Sequence, residues 1–414
     1  MHDDQRIYRQ NADGGKKGSQ EEGHGQVSRS HHSGNQEGRV NQKVALVHDW
    51  LNGMRGGEIV FEALLDLFPN ADVFTLIYNP GSLSPSLRKK LSRTRVHTSW
   101  MNRFEFTRQK YRQLLPLLPF AIRSLDIYPY DLVISSSHCV AKGVKKHPGA
   151  FHLSYIHAPM RYMWDRFDDY FGKGRILFFF RWIAILLRPL MQAWDRRTAQ
   201  KDRVDVLLAN SKFISEQIQR CYGRDSKVVY PFANLERFQK PRNRGNYYLM
   251  VGAFAPYKRT DLAIEAFARL GLPLKIVGSG QDEARLLALK NKLGAQNIEF
   301  IASGDANNER IESLYSECKA FIFPGKEDFG ITPLEAMASG APVIAFNEGG
   351  ASETVTNETG ILFQPQTIDA LVNAVMDVES GRKKFAEEAC RSRAKFFTQE
   401  RFKKEILQSL PPSP

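Results

Sequence analysis

Residues 320–340 read AFIFPGKEDFGITPLEAMASG, an apolar run followed by an acidic turn and a helical pattern. The run Ala320–Phe323 predicts a buried strand, and the residues after the turn are those of a helix start. We expect Thr332 to be the N-cap, Pro333 to occupy the first helical position, and Glu335 to complete a capping box. A strand that leads through a short turn into a helix is the repeating unit of a parallel α/β sheet.

The same alternation of apolar runs and helical patterns extends in both directions from this stretch. A polar segment with proline and glycine, residues 236–246, divides the runs into two sets of five. The predicted strands are 43–48, 73–77, 132–135, 152–156, 206–209, 247–252, 274–278, 298–301, 320–323 and 343–346. The fold class is therefore predicted as α/β, with two Rossmann-like domains built on parallel sheets.

Polar and charged residues dominate positions 1–42, which bury too little apolar surface to offset the entropy lost on ordering. We therefore expect a disordered tail at 1–42, a first domain at 43–238, a second domain at 246–395, and a last helix with a short tail at 396–414. No apolar signal-peptide core follows Met1, so a cytoplasmic location is expected.

Cysteine spacing gives no sign of a metal or a disulfide scaffold. The four cysteines lie far apart without a CxxC pair, and no Asp-x-Asp motif is evident. They are Cys139, Cys221, Cys318 and Cys390. We expect inert thiols in a reducing compartment, and we expect no metal and no cofactor.

Positive charge is concentrated in two stretches of the first half. The chain has a net charge of +13, and residues 88–112 contribute +8 while residues 175–203 contribute +5. A local basic surface predicts an anionic partner, such as a membrane surface, a lipid phosphate or nucleic acid. Nucleic acid is disfavoured because the sequence has no basic recognition helix, zinc finger or RNA-binding signature.

An apolar segment, ILFFFRWIAILLRPLM at 176–191, lies inside the second basic stretch. It is too short to span a bilayer, and two arginines and a proline interrupt it. Aromatic and aliphatic residues beside arginine suit a helix in the membrane interface. An amphipathic helix of the domain core explains the pattern equally well, so both alternatives stay open.

Two loops, one at the start of each domain, have residues suited to a diphosphate. Gly56 and Gly57 precede a helix, where backbone N–H groups and the helix dipole attract an anion. Lys258 and Arg259 lie in a predicted strand-to-helix loop, where two cations can bind a diphosphate and stabilise its charge as it leaves. Taken alone, the glycine pair also fits an ordinary turn. The two cations also fit solvated side chains of an exposed loop.

The acidic turn carries the strongest functional pattern. Glu327 and Asp328 crowd the end of a strand, and Gly330 allows close approach of the backbone to another group. A carboxylate at Glu335 can bind ribose hydroxyls while one at Glu327 meets a sugar. This combination favours a ligand site over a purely structural cap.

The segment EDFGITPLE at 327–335 resembles the E-x7-E signature of group 1, family 4 retaining glycosyltransferases of GT-B fold. The resemblance extends from about Lys43 to Phe402. It includes the blocks HDWLNGMRGGE, YIHAPMRYMWD, LLANSKFISEQI, PYKRTDLAIEAF, VGSGQDEARL and SGAPVIAFNEGGASETV. The YIHAPMRYMWD and PYKR forms look most like bacterial enzymes that add mannose or a related hexose to lipid-linked or capsular polysaccharide. The resemblance implies two domains facing across a cleft, with the last helix crossing back.

The resemblance also implies roles for individual residues. Glu327 would contact the donor sugar, Lys258 would stabilise the leaving diphosphate, and His157 would contact the sugar or position the acceptor. On chemistry alone His157 is equally well a structural histidine. We expect His138 to be an ordinary loop histidine and Lys142 to be solvated or part of the basic surface.

Donor binding is the second role that the resemblance assigns. The implied donor-binding residues are Gly56, Gly57, Lys258, Arg259, Phe329, Gly330, Ile331, Glu335 and Glu353. Many members of the family have arginine where this chain has Ala253. The second phosphate contact would then come from Arg259 or be weaker.

The expected activity is transfer of a hexose with retention from a nucleotide-diphosphate sugar, with GDP-mannose as the expected donor. The expected acceptor is a glycan or a polyprenyl-linked glycan, reached from the inner face of the cytoplasmic membrane. Alternatives are a sugar-nucleotide epimerase of the same fold, which leaves the basic surface without a use, and a soluble enzyme with a small-molecule acceptor. A dinucleotide-dependent oxidoreductase is disfavoured because Glu283 occupies the third glycine position of the G-x-G-x-x-G pattern.

Overall fold

The computed structural model describes residues 42–171, 178–238, 243–303 and 308–412. The tail predicted at 1–42 lies outside these residues, except for Gln42. Within the described ranges the strands are β1 (Val44–His48), β2 (Asp72–Thr75), β3 (Val96–Thr98), β4 (Leu132–Ser137), β5 (Phe151–Ile156), β6 (Val206–Ala209), β7 (Lys227–Val228), β8 (Tyr248–Val251), β9 (Leu274–Gly278), β10 (Ile298–Ala302), β11 (Ala320–Phe323), β12 (Val343–Phe346) and β13 (Gly360–Phe363).

Helices connect these strands and cover both faces of the sheets. They are α1 (Gly56–Leu67), α2 (Pro85–Leu91), α3 (Glu105–Lys110), α4 (Leu118–Arg123), α5 (Phe167–Phe171), α6 (Phe178–Thr198), α7 (Lys212–Tyr222), α8 (Thr260–Leu270), α9 (Glu283–Lys292), α10 (Asn308–Glu317), α11 (Thr332–Ala338), α12 (Ala351–Thr354), α13 (Ile368–Glu379), α14 (Glu387–Ala394) and α15 (Gln399–Leu407).

The strands form two parallel sheets, one in each half of the chain. The first sheet has the order β3-β2-β1-β4-β5-β6-β7, and the second has the order β10-β9-β8-β11-β12-β13. The predicted α/β class with two Rossmann-like domains is confirmed. The sequence did not predict β3, β7 and β13, which are edge strands with few fully buried residues.

The direction of the connections reverses once in each sheet, between β1 and β4 in the first domain and between β8 and β11 in the second. The loops after these neighbouring strands diverge to opposite faces and leave a crevice between them. Ligands of doubly wound sheets bind in this crevice, beyond the carboxyl ends of the strands. The topology therefore predicts that ligands bind at four loops, two in each domain.

The last helix, α15, lies on the first domain. Phe402 and Ile406 are fully buried in the hydrophobic core that also contains α1. Lys403 Nζ lies 3.0 Å from the Asp66 carboxylate, at the end of α1. Residues at the far end of the sequence therefore complete the core of the first domain.

The long helix α6 contains most of the apolar segment 176–191. The sequence alone is compatible with a helix in the membrane interface and with a helix of the domain core. The inner face of α6 is packed, with Met191 and Asp195 buried in the first domain. Its outer face is apolar and exposed, since Leu186 and Leu190 are 70% and 67% exposed. The helix thus contributes to the core and also presents an apolar surface. No helix of the described residues is long and apolar enough to cross a membrane.

Candidate active site

Two loops of the second domain meet because the strands that precede them are neighbours. Lys258 lies between β8 and α8, Glu327 lies between β11 and α11, and their side chains form an ion pair. Between them, a Cβ atom at Gly325 would lie 2.6 Å from Tyr257 O and 2.8 Å from Lys258 Cα. Only glycine lets the loops approach this closely. The cation and the carboxylate are therefore brought together by the fold.

Glu335 lies in the first turn of α11 and faces α10. Its Oε2 accepts a hydrogen bond of 2.8 Å from the Tyr315 hydroxyl. Burial raises the pKa of the Glu335 carboxyl, while the bond from Tyr315 and the charge of Arg237 oppose this shift. The carboxylate is thus fixed at its place in the wall of the cavity described below.

The capping box predicted for α11 is wrong. Thr332 is already part of the helix, and the N-cap is Ile331, which makes no side-chain cap bond. The physical reason is the bond between Glu335 and Tyr315, which directs the carboxylate to α10 and not to the backbone before the helix. A capping role therefore does not explain why a glutamate occupies position 335.

In the first domain, the loop after β1 leads into α1 at Gly56 and Gly57. A Cβ atom at Gly57 would lie 3.5 Å from His48 Cε1 and 3.8 Å from His157 Nε2. A Cβ atom at Gly56 would lie 3.2 Å from Ile331 Cδ1 of the second domain. The start of α1 therefore faces both the histidines of its own domain and the acidic turn across the cleft.

His157 follows β5, whose neighbour in the sheet is β4. Its Nε2 lies 2.8 Å from the Ser136 hydroxyl at the end of β4. Burial lowers the pKa of His157 well below its ordinary value, and the nearby His138, His48 and Arg161 lower it further. The imidazole is therefore neutral at physiological pH.

His138, expected to be an ordinary loop histidine, lines the cavity described below and is held by Asp49, which the sequence did not reveal. The buried Asp49 carboxylate accepts backbone N–H bonds of 2.6–3.0 Å from residues 138–141. Its Oδ2 also lies 3.1 Å from His138 Nδ1. The position of Asp49, immediately after β1 at the reversal point of the sheet, was the signal that could have revealed it.

A cavity of about 1320 Å³ lies between the two domains and joins these elements. Its lining includes Gly56, Gly57, His157, Lys258, Glu327, Phe329, Gly330, Ile331 and Glu335 from the predicted site. It also includes His138, Ala253 and Asp328. Among the described residues, no group of three His, Cys, Asp or Glu side chains could hold a metal ion. The side chain of Lys258 brings a cation to this lining.

Arg259 and Glu353, two of the predicted donor-binding residues, do not line this cavity. Arg259 has a left-handed backbone (φ 53°), and its guanidinium bonds Gln366 at 2.9 Å and Asp261 at 3.3 Å. The Glu353 carboxylate accepts bonds of 2.7 and 2.8 Å from the first two backbone N–H groups of α7. Glu353 therefore joins the two domains outside the cavity.

Lys142, which was expected to be solvated or part of the basic surface, is instead buried. Its side chain is 1% exposed and forms an ion pair with the fully buried Asp195 of α6. The Asp195 carboxylate compensates the buried cation. Lys142 therefore belongs to the interior of the first domain, not to its basic surface.

Comparison with known proteins agrees with this arrangement. Residues 232–395 match the family model described as glycosyl transferases group 1. The O-antigen chain mannosyltransferase C of Escherichia coli is 29% identical over 216 residues, which are 47% of this chain and 57% of that protein. The chain matches about half the length of its curated relatives. The resemblance stated from the sequence is confirmed.

Solved structures share the fold over nearly the whole chain. Sucrose-phosphate synthase from Thermosynechococcus elongatus has a TM-score of 0.67 at 19% identity, covering 89% of this chain and 98% of that one. Anabaena HepE in complex with UDP has a TM-score of 0.64 at 16% identity, covering 88% and 98%. The predicted GT-B architecture, with two Rossmann-like domains and a cleft between them, is confirmed.

Proposed function

We propose that this protein is a glycosyltransferase that moves a hexose from a nucleotide-diphosphate sugar to an acceptor hydroxyl, with retention of the anomeric configuration. The observation that carries the proposal is the convergence of Lys258, Glu327 and Glu335 on one wall of the interdomain cavity. The start of α1, with Gly56 and Gly57, lines the same cavity from the other domain. A cation and a helix N-terminus suit the diphosphate of a sugar nucleotide. Two carboxylates suit the hydroxyls of its ribose and of its sugar.

Each group of the donor has a partner in this arrangement. The ribose hydroxyls would bind the Glu335 carboxylate, and the diphosphate would lie between Lys258 and the N–H groups at Gly56 and Gly57. Glu327, next to Lys258, would bind the sugar hydroxyls. His157 is neutral, so it can hydrogen-bond the sugar without repelling positive charge that develops at the anomeric carbon.

In the reaction, the bond between the anomeric carbon and the diphosphate oxygen breaks. Negative charge then grows on the departing phosphate, where Lys258 and the start of α1 stabilise it. The acceptor oxygen bonds to the anomeric carbon on the same face, and its proton passes to the departing phosphate. The reaction needs no cofactor beyond the donor, and the donor itself supplies the base.

For the donor we propose GDP-mannose, and for the process, synthesis of a cell-surface polysaccharide. The similarity to an O-antigen mannosyltransferase supports mannose. A UDP-sugar is the main alternative, since a protein of the same fold binds UDP. In this proposal Ala253, where many relatives have arginine, leaves Lys258 as the principal cation at the diphosphate.

For the acceptor we propose a glycan on a polyprenyl carrier, reached by peripheral attachment to the inner face of the cytoplasmic membrane. The cavity continues along the first domain between residues 105–116 and 183–191. Next to this opening, Phe106, Phe120 and Leu186 are 63%, 68% and 70% exposed. Exposed arginines at 103, 108 and 123 accompany them. Apolar side chains with arginine suit an anionic lipid surface.

A ligand panel tests the donor. Purified protein would be heated with UDP-, GDP- and ADP-sugars, because a ligand that binds only the folded state raises the melting temperature. We expect stabilisation by GDP-mannose, and a smaller effect in Glu335→Gln. Transfer to a polyprenyl-linked glycan would then be measured by product mass. Conversion of the donor without acceptor would indicate an epimerase, and absence of any nucleotide effect would contradict the proposal.

A further inference from the structure

Three hydrogen bonds between the domains involve the two residues that flank Glu327. Arg161 of the first domain donates a hydrogen bond of 2.6 Å to Asp328 Oδ2. Ser211 donates a bond of 2.6 Å to the backbone oxygen of Asp328, and Arg166 donates to the backbone oxygen of Lys326. The first domain therefore holds the backbone on both sides of Glu327.

The segment that carries Arg161 is itself fixed by α6. Arg188 and Gln192 donate bonds of 2.9 and 2.8 Å to the backbone oxygen of Met163. The Asp195 carboxylate accepts bonds of 2.8 Å from the Trp164 indole and 3.3 Å from a backbone N–H of the same segment. Hydrogen bonds to α6 therefore hold the segment from which Arg161 reaches the second domain.

The ion pair of Arg161 and Asp328 lies at the cavity and is largely shielded from solvent. Its side chains are 26% and 20% exposed, and a bond of 2.6 Å is short for a charge-assisted pair. Pairs that are shielded and hydrogen-bonded contribute more than exposed pairs, whose contribution is usually small. The pair can therefore bias the relative position of the domains.

We propose that Arg161 and Asp328 are positioning residues, an interdomain ion pair that sets Glu327 in place for the donor sugar when the domains close. The inference rests on the proposed glycosyl transfer, in which Glu327 contacts the sugar. It explains why two acidic residues stand side by side in the turn. Glu327 pairs with Lys258 of its own domain, whereas Asp328 pairs with Arg161 of the other.

Charge reversal tests the pair. Arg161→Asp and Asp328→Arg should each lower kcat at least 10-fold, while the nucleoside diphosphate concentration for half-maximal thermal stabilisation changes less than 3-fold. The double variant, which restores opposite charges, should recover at least a third of the lost turnover. Asp328→Asn, which keeps the shape, should show the loss without a large change in melting temperature. The control is reversal of Arg197 and Asp202, an exposed pair within the first domain and outside this segment.

Hydrogen exchange separates this inference from the proposed activity. Backbone amides of residues 325–331 should exchange faster in Arg161→Asp and Asp328→Arg, return toward wild type in the double variant, and stay unchanged in the control pair. Exchange that is the same in the single variants and wild type would overturn the inference. Failure of the double variant to recover turnover would also overturn it, since Arg161 would then act on the substrate directly. Absence of transfer by the wild type, with the exchange pattern intact, would instead contradict the proposed function.

Discussion

Lys258 and Glu327 form an ion pair at the wall of the interdomain cavity, and each side chain is only 14% exposed. We expect Lys258→Ala and Glu327→Gln each to lower kcat by about 10²–10³, the usual cost of losing a group that stabilises transition-state charge. Lys258→Arg, which keeps a cation, should retain more activity than the alanine variant. Transfer assays with a matched thermal melt check this, and wild-type turnover in either variant would remove that residue from the proposed site.

Gly57 offers a test of the α1 end of the cavity. Its Cβ position has ordinary contact distances to His48 and His157, 3.5 and 3.8 Å, so Gly57→Ala should fold normally. The added methyl group would stand where the diphosphate is proposed to approach the helix start. We expect at least a 10-fold weaker affinity for the nucleotide sugar, measured by titration calorimetry.

Gly350 is the matched control for Gly57. A Cβ atom there would lie 2.2 Å from Phe329 Cα, so Gly350→Ala must displace the backbone next to the acidic turn. We expect this variant to melt at a clearly lower temperature, whereas Gly57→Ala does not. Equal melting temperatures for both variants would contradict the packing described for these loops.

Buried histidines predict that the first domain loses stability in mild acid. Burial lowers the pKa of His48 and of His152 to about 4, from an ordinary 6.5. Between pH 6.5 and 4 the unfolded chain therefore binds protons that the folded chain does not, and the free energy of unfolding falls as pH falls. Each histidine contributes a slope of up to ~1.4 kcal/mol per pH unit.

Tryptophan fluorescence can follow this effect because all five tryptophans belong to the first domain. They are Trp50, Trp100, Trp164, Trp182 and Trp194. Urea unfolding midpoints measured from pH 7 to 4.5 should decline more gently in His48→Phe than in wild type. Phe74→Leu, a buried change without a titrating group, should lower the midpoint without altering the slope. An unchanged slope in His48→Phe would count against the assignment.

The outer face of α6 predicts lipid binding. Leu186→Asp together with Leu190→Asp should abolish flotation with vesicles that contain anionic lipid, because both side chains are exposed and apolar. Met376→Asp in the second domain, at a side chain 40% exposed, should leave flotation unchanged. Wild-type binding should also weaken at high salt. Flotation of the double variant at the wild-type level would exclude α6 as the attachment surface.

Much of the fold followed from the sequence because apolar runs mark strands that are buried on both faces. The run at 320–323 is one such strand, and its observed bounds equal the predicted ones. By contrast, β3 has the sequence VHT and is only partly buried, so it has no apolar run to detect. Edge strands owe their place to backbone pairing, which leaves little trace in the side-chain pattern.

The sequence could locate site residues only in loops where a motif fixes both the residue type and the local geometry. Lys258 and Glu327 line the cavity from loops that the sequence had located. Arg161, Asp49 and the partners of Glu353 depend on contacts between residues more than 80 positions apart, which no local pattern encodes. Lys142 shows the same limit, because the carboxylate that compensates its charge lies on α6, 53 residues away.

The position of α15 has a consequence for biosynthesis. Phe402 and Ile406 are part of the hydrophobic core of the first domain, although the whole second domain is translated before them. Domains that emerge first usually fold first on the ribosome. Here the core of the first domain stays incomplete, and the apolar side chains that Phe402 and Ile406 cover stay exposed, until residues 402–406 have left the exit tunnel.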